Sequence, residues 1–238
     1  MGDWSFFLRD TGGGETYLHW MMTAWGWTLA VAALALVIAL LVGSIMGIQR
    51  TTPSKALVAM GNAWTEIFRN VPLLVQIFLW YHVIPSIFTS LRAVPSFVLV
   101  VFAIGFFTSA RISEQVRAGI QSLPRGQRYA GLAMGLTLPQ TYRYVLLPMA
   151  YRIIIPPLTS ESMNIFKNSS VAFAVSIPEM IQFAMQAGEE TSRVTEMYMA
   201  VTVLYVISAM VINRIMAWVE KRVRVPGFVV AGTGGGGH

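Results

Sequence analysis

The stretch "AWGWTLAVAALALVIALLVGSIMGI", residues 24–48, decides what kind of fold this chain adopts. It runs for 25 positions without a charged side chain, and about 20 apolar residues suffice for a helix to cross the hydrocarbon core of a bilayer. Because that core holds no water, a crossing segment must satisfy its own backbone polar groups, as a helix does. The stretch therefore predicts a membrane protein built from helices.

The composition of the whole chain supports a membrane location. Of its 238 residues, 55% are hydrophobic and only 12% are charged, whereas a soluble domain carries roughly a quarter charged residues. The net charge of +6 comes from basic residues beside apolar segments, which favours a bilayer rather than nucleic acid as the partner. The chain has no cysteine, which excludes disulfides and cysteine-based zinc sites.

Four further segments are candidate spans: residues 71–88, 93–112, about 144–172, and 197–219. The span at 71–88 opens at Pro72 and is expected to bend at Pro85. The span at about 144–172, the fourth of the five, is less apolar than the others. We expect an all-α protein with about five transmembrane helices over residues 24–222. An external segment at 1–23, which lacks the features of a cleavable signal, precedes them, and a disordered cytoplasmic tail at 223–238 follows.

Basic residues predict the orientation of these spans. Lysines and arginines follow the first span, separate the third from the fourth, and follow the fifth, and such residues collect on the cytoplasmic side. The amino terminus is therefore expected outside, and the carboxyl terminus in the cytoplasm. Residues 54–68 have helical periodicity typical of a surface helix, and "EMIQFAM" predicts a short helix within an external stretch at 173–195.

The loop "RYAGLAMGLTLPQTYRYVLLP", residues 128–148, is compact and lies on the expected cytoplasmic side. Gly131 and Gly135 are four residues apart, which predicts that they share one helix face. Thr137 and Gln140 predict a capping box for a second helix, with Pro139 in its first turn. Two interpretations stay open: a knob that fits a groove on another protein, or a loop helix that only connects spans.

This loop resembles a pattern found in ABC importer permeases, which reads Glu-Ala-Ala, three residues, Gly, nine residues, Ile-x-Leu-Pro. The corresponding positions here are Ala130, Gly135, Val145, Leu147 and Pro148. Two positions depart from the pattern, because Tyr129 replaces the glutamate and Gly131 replaces the second alanine. The loop therefore lacks the carboxylate that the pattern could offer to an ATPase in an ion pair.

Other stretches resemble the polar amino-acid branch of these permeases, and the sequence of the loop and of the fourth span is most similar to glutamate and aspartate permeases. They are "FRNVPLLVQIFLWY" (68–81), "SEQVRAGIQSLPRGQ" (113–127) and "PPLTSESMNIFKNSSVAFAVSIPEM" (156–180). The resemblance implies a type I importer fold in a bacterial inner membrane. It further implies a periplasmic binding protein that delivers substrate to a pair of different permease chains. It also implies that a coupling helix within about 123–143 docks on an ATPase dimer. The implied coupling residues are Tyr129, Ala130, Gly131, Gly135, Leu138 and Pro139.

The chain has no P-loop motif, so ATP and Mg²⁺ are expected on the partner, with no cofactor and no enzymatic activity on this chain. Two alternatives remain at this point. One is a permease for glutamine, histidine or arginine. The other is a subunit of a secondary transporter, a class that is usually larger and built of repeats.

Polar residues inside the predicted spans mark the expected substrate path, because ionisable groups there are costly and usually functional. The candidates are Lys167, Asn168, Ser169, Ser170, Glu161, Asn164 and Gln76. Lys167 either attracts an acidic substrate or snorkels to the outer surface. Glu161 is favoured as a buried partner of Arg111 or of a hydroxyl within a span, and a structural role is favoured for Gln76. Pro156 and Pro157 are expected to break the helix of the fourth span.

Overall fold

The computed structural model describes residues 4–223, most of which are helical. The α-helices are α1 (Tyr17–Gln49), α2 (Lys55–Asn70), α3 (Leu73–Phe78), α4 (Ile84–Ile87), α5 (Ser96–Gln121), α6 (Arg125–Ala133), α7 (Leu138–Thr141), α8 (Leu147–Asn168), α9 (Met180–Thr191) and α10 (Val194–Val223). Short 3-10 helices occupy Trp4–Leu8, Thr89–Ala93 and Ser169–Val175. Within residues 4–223 the only β-type pairing is an isolated bridge between Asp10 and Thr16. The predicted all-α class is confirmed, and the predicted tail lies outside the described residues from position 224 onward.

Among residues 4–223, three helices, α1, α5 and α10, are long and apolar enough to cross a membrane. The helices Lys55–Asn70 and Leu73–Ile87 meet at a bend of 104° and would supply a fourth crossing if they act as one broken span. The predicted fourth span is helical as α8 but is not among them, since Arg152, Glu161 and Lys167 lie along it. A fifth crossing therefore stays a prediction.

The helix bounds differ from the predicted spans at several ends. The first helix begins at Tyr17, inside the predicted external segment, because Thr16 caps it by accepting a hydrogen bond from the backbone N–H of His19. The surface helix predicted at 54–68 is confirmed as α2. The short helix around "EMIQFAM" is confirmed as α9, where Glu179 accepts hydrogen bonds from two backbone N–H groups of the first turn.

Four of the prolines lie inside continuous helical structure. Pro85 and Pro148 lie in the first turns of α4 and α8, and each follows a π-helical segment, Leu79–Val83 or Tyr142–Leu146. Proline has no backbone N–H to donate, and the wider π turn changes the hydrogen-bond register just before it. The expected break at Pro156 and Pro157 is wrong, because α8 continues through both residues. Packing against neighbouring helices allows prolines inside membrane helices.

The core forms around α5, which packs against α1 on one side and α8 on another. Two glycines bring α1 unusually close to α5. A Cβ on Gly43 would lie 2.7 Å from the Cβ of Ile112, and one on Gly47 would lie 2.7 Å from the Cβ of Val116. Since real side chains do not approach so closely, only glycine permits this packing. The tight α1–α5 pair supports α8, which carries most of the predicted path residues.

The two ends of the bundle bring together the segments that the predicted topology puts on the same side. At one end, the Phe6 ring lies 4.5 Å from the Tyr17 ring, and the guanidinium of Arg193 lies 5.2 Å above the Phe6 ring. The amino-terminal segment therefore packs on the stretch at 173–195. At the other end, the Tyr142 hydroxyl donates a 2.8 Å hydrogen bond to the carbonyl of Thr51, which joins the loop after α1 to the helix before α8.

Candidate functional site

The turn after α6 is built on a left-handed glycine. The helix ends at Ala133, and Gly135 has a φ of +85°. The backbone N–H of Gly135 donates to the carbonyl of Leu132 at 3.0 Å, and that of Leu136 donates to the carbonyl of Gly131 at 3.2 Å. This pair of bonds is the Schellman motif, which favours glycine in the left-handed position. The predicted shared helix face of Gly131 and Gly135 is therefore wrong, since Gly135 stops the helix.

The capping box predicted at the next helix is confirmed. The backbone N–H of Thr137 donates to the side-chain Oε1 of Gln140 at 2.8 Å, and the backbone N–H of Gln140 donates to the Thr137 Oγ1 at 3.4 Å. Pro139 lies in the first turn, where its missing N–H costs nothing. Both ends of the connection between α6 and α7 are therefore fixed by local hydrogen bonds.

Gly131 brings α6 close to α7. Its backbone is buried, and a Cβ there would lie 2.9 Å from the Cγ2 of Thr141. The departure from the second alanine of the permease pattern thus has a packing reason, because an alanine would require Thr141 to move. A role in direct docking does not fit this buried position.

The other predicted coupling residues lie at or near the surface of the loop. Tyr129 is 67% exposed, Ala130, Gly135 and Pro139 are also exposed, and Leu138 is half-buried. The sequence analysis missed Met134, which is 83% exposed between Tyr129 and the glycine turn. Large apolar side chains on a loop among basic residues are typical of a protein contact. Their exposure, together with the two capped ends, describes a rigid knob with an apolar tip.

The knob continues without a loop into the helix that carries the predicted path. Helical structure runs from Leu138 through the π-helical segment Tyr142–Leu146 and into α8. Tyr142 and Leu146 are buried in the core, and the Tyr142 hydroxyl is bonded to Thr51. Continuous helical structure and buried contacts therefore connect the knob to the start of α8.

The predicted path residues divide into exposed and buried sets. Lys167 is exposed, and its side-chain ammonium makes no hydrogen bond or ion pair with any residue at 4–223. Asn164, Asn168 and Ser170 are partly exposed around it. Ser169 is fully buried, and its hydroxyl donates to the carbonyl of Phe166 at 2.7 Å. The structure thus leaves two asparagines and one serine partly exposed beside Lys167 in the chain and places Ser169 in the interior.

Glu161 and Gln76 serve the interior of the bundle. A carboxylate oxygen of Glu161 lies 3.8 Å from the guanidinium of Arg111 on α5. The Gln76 side-chain amide donates to the carbonyls of Phe68 and Val71, both at 2.9 Å, and so fixes the corner between α2 and α3. The favoured interpretation of Glu161 as a buried partner of Arg111 is confirmed. Both side chains are buried.

Arg50 forms a junction that the sequence analysis did not identify, since it interpreted this residue only as an orientation charge. The buried guanidinium donates to Asn62 at 2.7 Å and to Glu114 at 2.8 Å, and so links the end of α1 to α2 and α5. Glu114 also lies 3.8 Å from Arg117. Helical spacing of Glu114 and Arg117 could be seen in the sequence, but the contact with Arg50 depends on the fold.

The fold and the loop agree with a comparison against known protein families. The family described as "Binding-protein-dependent transport system inner membrane component" matches residues 39–225 of this chain. The chain belongs to this family. It is a multi-pass inner-membrane component of an importer and therefore a transport subunit rather than an enzyme, and ATP hydrolysis belongs to a separate ATPase.

This inner-membrane component is similar to individual members of the family. It is 45% identical to "Glutamate/aspartate import permease protein GltJ" of Escherichia coli O6:H1, over 94% of this chain and 96% of the relative. It is 26% identical to "Glutamate/aspartate import permease protein GltK" of the same organism, over 82% of this chain and 89% of the relative. Both relatives are matched over nearly their whole length.

A solved structure supports the same fold. The structure described as "Crystal structure of an amino acid ABC transporter with histidines" superposes on this inner-membrane component with a TM-score of 0.75 at 26% identity. The match covers 87% of this chain and 95% of the other. The predicted type I ABC importer permease fold is therefore confirmed.

Proposed function

We propose that this inner-membrane component forms part of the translocation passage of an ATP-driven importer for glutamate and aspartate. Lys167 carries the proposal: it is an exposed cation on α8 with no partner among residues 4–223. The similarity to GltJ, whose name gives glutamate and aspartate as its substrates, supports the same assignment. A cation on a membrane helix is costly unless it meets water or an anion, and the side-chain carboxylate of an acidic amino acid supplies that anion.

The polar groups around Lys167 suit the rest of an amino-acid substrate. Asn164 and Asn168 lie three residues before and one residue after it on α8, and amide side chains both donate and accept hydrogen bonds. The Ser170 hydroxyl donates to the carbonyl of Lys167 at 2.7 Å and also lies within hydrogen-bonding reach of the Tyr205 hydroxyl. We assign Lys167 to the side-chain carboxylate and the neighbouring groups to the remaining polar atoms. Ser169, Glu161 and Gln76 are buried elsewhere and have no part in this assignment.

The apolar tip of the knob is the proposed docking site for an ATPase dimer, which binds ATP and Mg²⁺. Tyr129 and Met134 supply its exposed side chains, and the helical run from Leu138 into α8 supplies a rigid connection to the passage. Closure of the ATPases would move the knob, and α8 would move with it as a rigid body. Because Tyr129 stands where the family pattern has a glutamate, the contact here is apolar rather than an ion pair.

The remaining partners follow from the family. A binding protein is part of the family description, and we propose that it delivers substrate at the amino-terminal side, outside the cell. The carboxyl terminus then lies in the cytoplasm. Because GltJ and GltK of one organism are both glutamate/aspartate permeases and both resemble this chain, we propose a heterodimer with a different permease chain.

A permease for another polar amino acid is the second candidate. The solved transporter described with histidines supports it, at 26% identity. A free cation at position 167 disfavours a basic substrate, because like charges repel in a partly dry passage. The identity of 45% with GltJ also favours the acidic amino acids.

Replacement of Lys167 tests the proposed substrate contact. Lys167→Met keeps the length of the side chain and removes its charge, and Lys167→Arg is the matched control that keeps the charge. A charge-assisted contact is worth about 1–3 kcal/mol, so Lys167→Met should lower glutamate and aspartate uptake about ten- to a hundredfold. Uptake is measured in proteoliposomes that hold the whole complex with saturating binding protein. Unchanged uptake by Lys167→Met would show that Lys167 anchors the helix end and does not contact substrate.

A further inference from the structure

The exposed face of α8 differs in chemistry from the exposed face of α10. On α10 the exposed residues include Val203, Val206, Ile207, Met210, Val211 and Ile215, each more than half exposed. Such a face suits lipid tails. On α8 the exposed side includes Arg152, Ser160 and Lys167. A polar face on a membrane helix faces water or another protein chain rather than lipid, so this side of α8 belongs to a passage or to an interface that encloses one.

Arg152 is the second cation on this face, and no sequence argument had singled it out. It is exposed, and its guanidinium makes no hydrogen bond or ion pair with any residue at 4–223. It precedes Lys167 by 15 residues (167 − 152 = 15), which in a regular helix is roughly 22 Å along the axis and roughly 60° around it. The two cations therefore occupy the same side of α8 at two different depths.

The carboxylate of α8 lies on the opposite side. Glu161 is nine residues after Arg152 (161 − 152 = 9), which is roughly half a turn away around the helix. It is buried against Arg111 on α5. Neither exposed cation is therefore neutralised by the acidic residue of its own helix, and the exposed face of α8 carries only positive charge.

Two prolines add to the polarity near Arg152. Pro156 and Pro157 have no backbone N–H, so the carbonyls of Arg152 and Ile153 lack their usual donors four residues later in the helix. Carbonyls released in this way are tolerated where water or polar groups can reach them. They give a second reason, independent of charge, to place this turn of α8 beside a hydrated space.

We propose that Arg152 is a second binding position for the substrate carboxylate, inward from Lys167, and that it determines how fast an acidic amino acid leaves for the cytoplasm. The inference rests on the proposed function, because it takes the acidic substrate and the path along α8 from it. One amino acid cannot bridge cations roughly 22 Å apart, so the substrate contacts them in turn. Arg152 thus draws the anion past Lys167 toward the knob end of the bundle.

A cysteine at position 152 tests this directly, since the chain contains no other cysteine. The complete complex is reconstituted in proteoliposomes with the other chains free of accessible thiols. Arg152→Cys should lower the maximal rate of ATP-driven glutamate uptake about tenfold, with the half-saturating concentration of binding protein unchanged. Treatment with 2-aminoethyl methanethiosulfonate, which attaches an ammonium group, should restore most of the rate. The 2-sulfonatoethyl reagent, which attaches an anion, should not.

Arg214→Cys is the matched control, because Arg214 is also exposed and without a partner at 4–223 but lies on α10. It should leave uptake unchanged before and after either reagent. The inference is overturned if Arg152→Cys transports normally, if its thiol reacts with neither charged reagent, or if the neutral methyl methanethiosulfonate restores uptake as well as the ammonium reagent does. That last result would show a packing role, since only bulk is then restored.

If Arg152→Cys does not assemble into the complex, the uptake rates of Arg152→Lys and Arg152→Gln are compared instead. Arg152→Lys should keep glutamate uptake, and Arg152→Gln should lose about tenfold; equal losses in both would overturn the inference. Wild-type uptake in the same vesicles distinguishes a failure of the proposed function from a failure of the role assigned to Arg152. Wild-type vesicles that take up no acidic amino acid contradict the proposed function, whereas normal wild-type uptake with an unaffected Arg152→Gln contradicts only the role of Arg152.

Discussion

Gly135 shows how one residue sets the geometry of the knob. Its φ of +85° lies in the left-handed region, and no atom beyond its own residue and its two chain neighbours lies within 4 Å of the position that a Cβ would occupy. The space around it is open, so its requirement for glycine comes from the backbone and not from packing within this chain. Spacing alone suggested a helix face, because the sequence pattern does not distinguish a glycine inside a helix from one that ends it.

Two substitutions of Gly135 test whether ATPase binding depends on its positive φ or on the open space around it. Asparagine tolerates the left-handed region, whereas a β-branched residue does not. We expect Gly135→Val to cost about 1–2 kcal/mol in the turn and to reduce recovery of the ATPase with the purified complex, and we expect Gly135→Asn to keep it. Equal recovery with both variants would contradict the need for a positive φ. Equal loss with both would mean that the partner needs the open space itself.

The sequence predicted best those structural features that depend on residues close together in the chain. The uncharged run at 24–48 became α1, and Thr137 with Gln140 became a capping box. These features depend on residues close together in the chain. The continuity of α8 through Pro156 and Pro157, the junction at Arg50 and the burial of Ser169 depend on neighbouring helices, which no local pattern contains.

A charge placed on the apolar tip of the knob is expected to weaken ATPase binding. Met134→Asp places a charge on the most exposed apolar side chain of the tip, which is 83% exposed, and should leave the fold of the bundle intact. An unpaired charge buried in an interface costs several kcal/mol, so recovery of the ATPase with the detergent-purified complex should fall about tenfold or more. Thr195→Asp, an exposed position at the start of α10, is the control and should recover the ATPase fully. Full recovery with Met134→Asp would place the docking surface elsewhere.

In the whole molecule, close contacts and continuous helix connect the α1–α5 pair, α8 and the knob. The α1–α5 pair, held close by Gly43 and Gly47, supports α8, and α8 continues into the knob. The chain belongs to a family of importer components, which have no energy source of their own. A secondary transporter, the competitor left open by the sequence, would instead draw energy from an ion gradient through the permease chains themselves.

ATP-dependent uptake by the reconstituted complex tests the central claim most directly. Proteoliposomes carry this chain, its partner permease and the ATPase, with ATP and Mg²⁺ on the ATPase side, binding protein and labelled glutamate on the other, and no ion gradient. The account predicts that glutamate accumulates only when ATP and the binding protein are both present, and that an ATPase variant unable to hydrolyse ATP abolishes accumulation. Accumulation that needs an ion gradient and proceeds without ATP would contradict it.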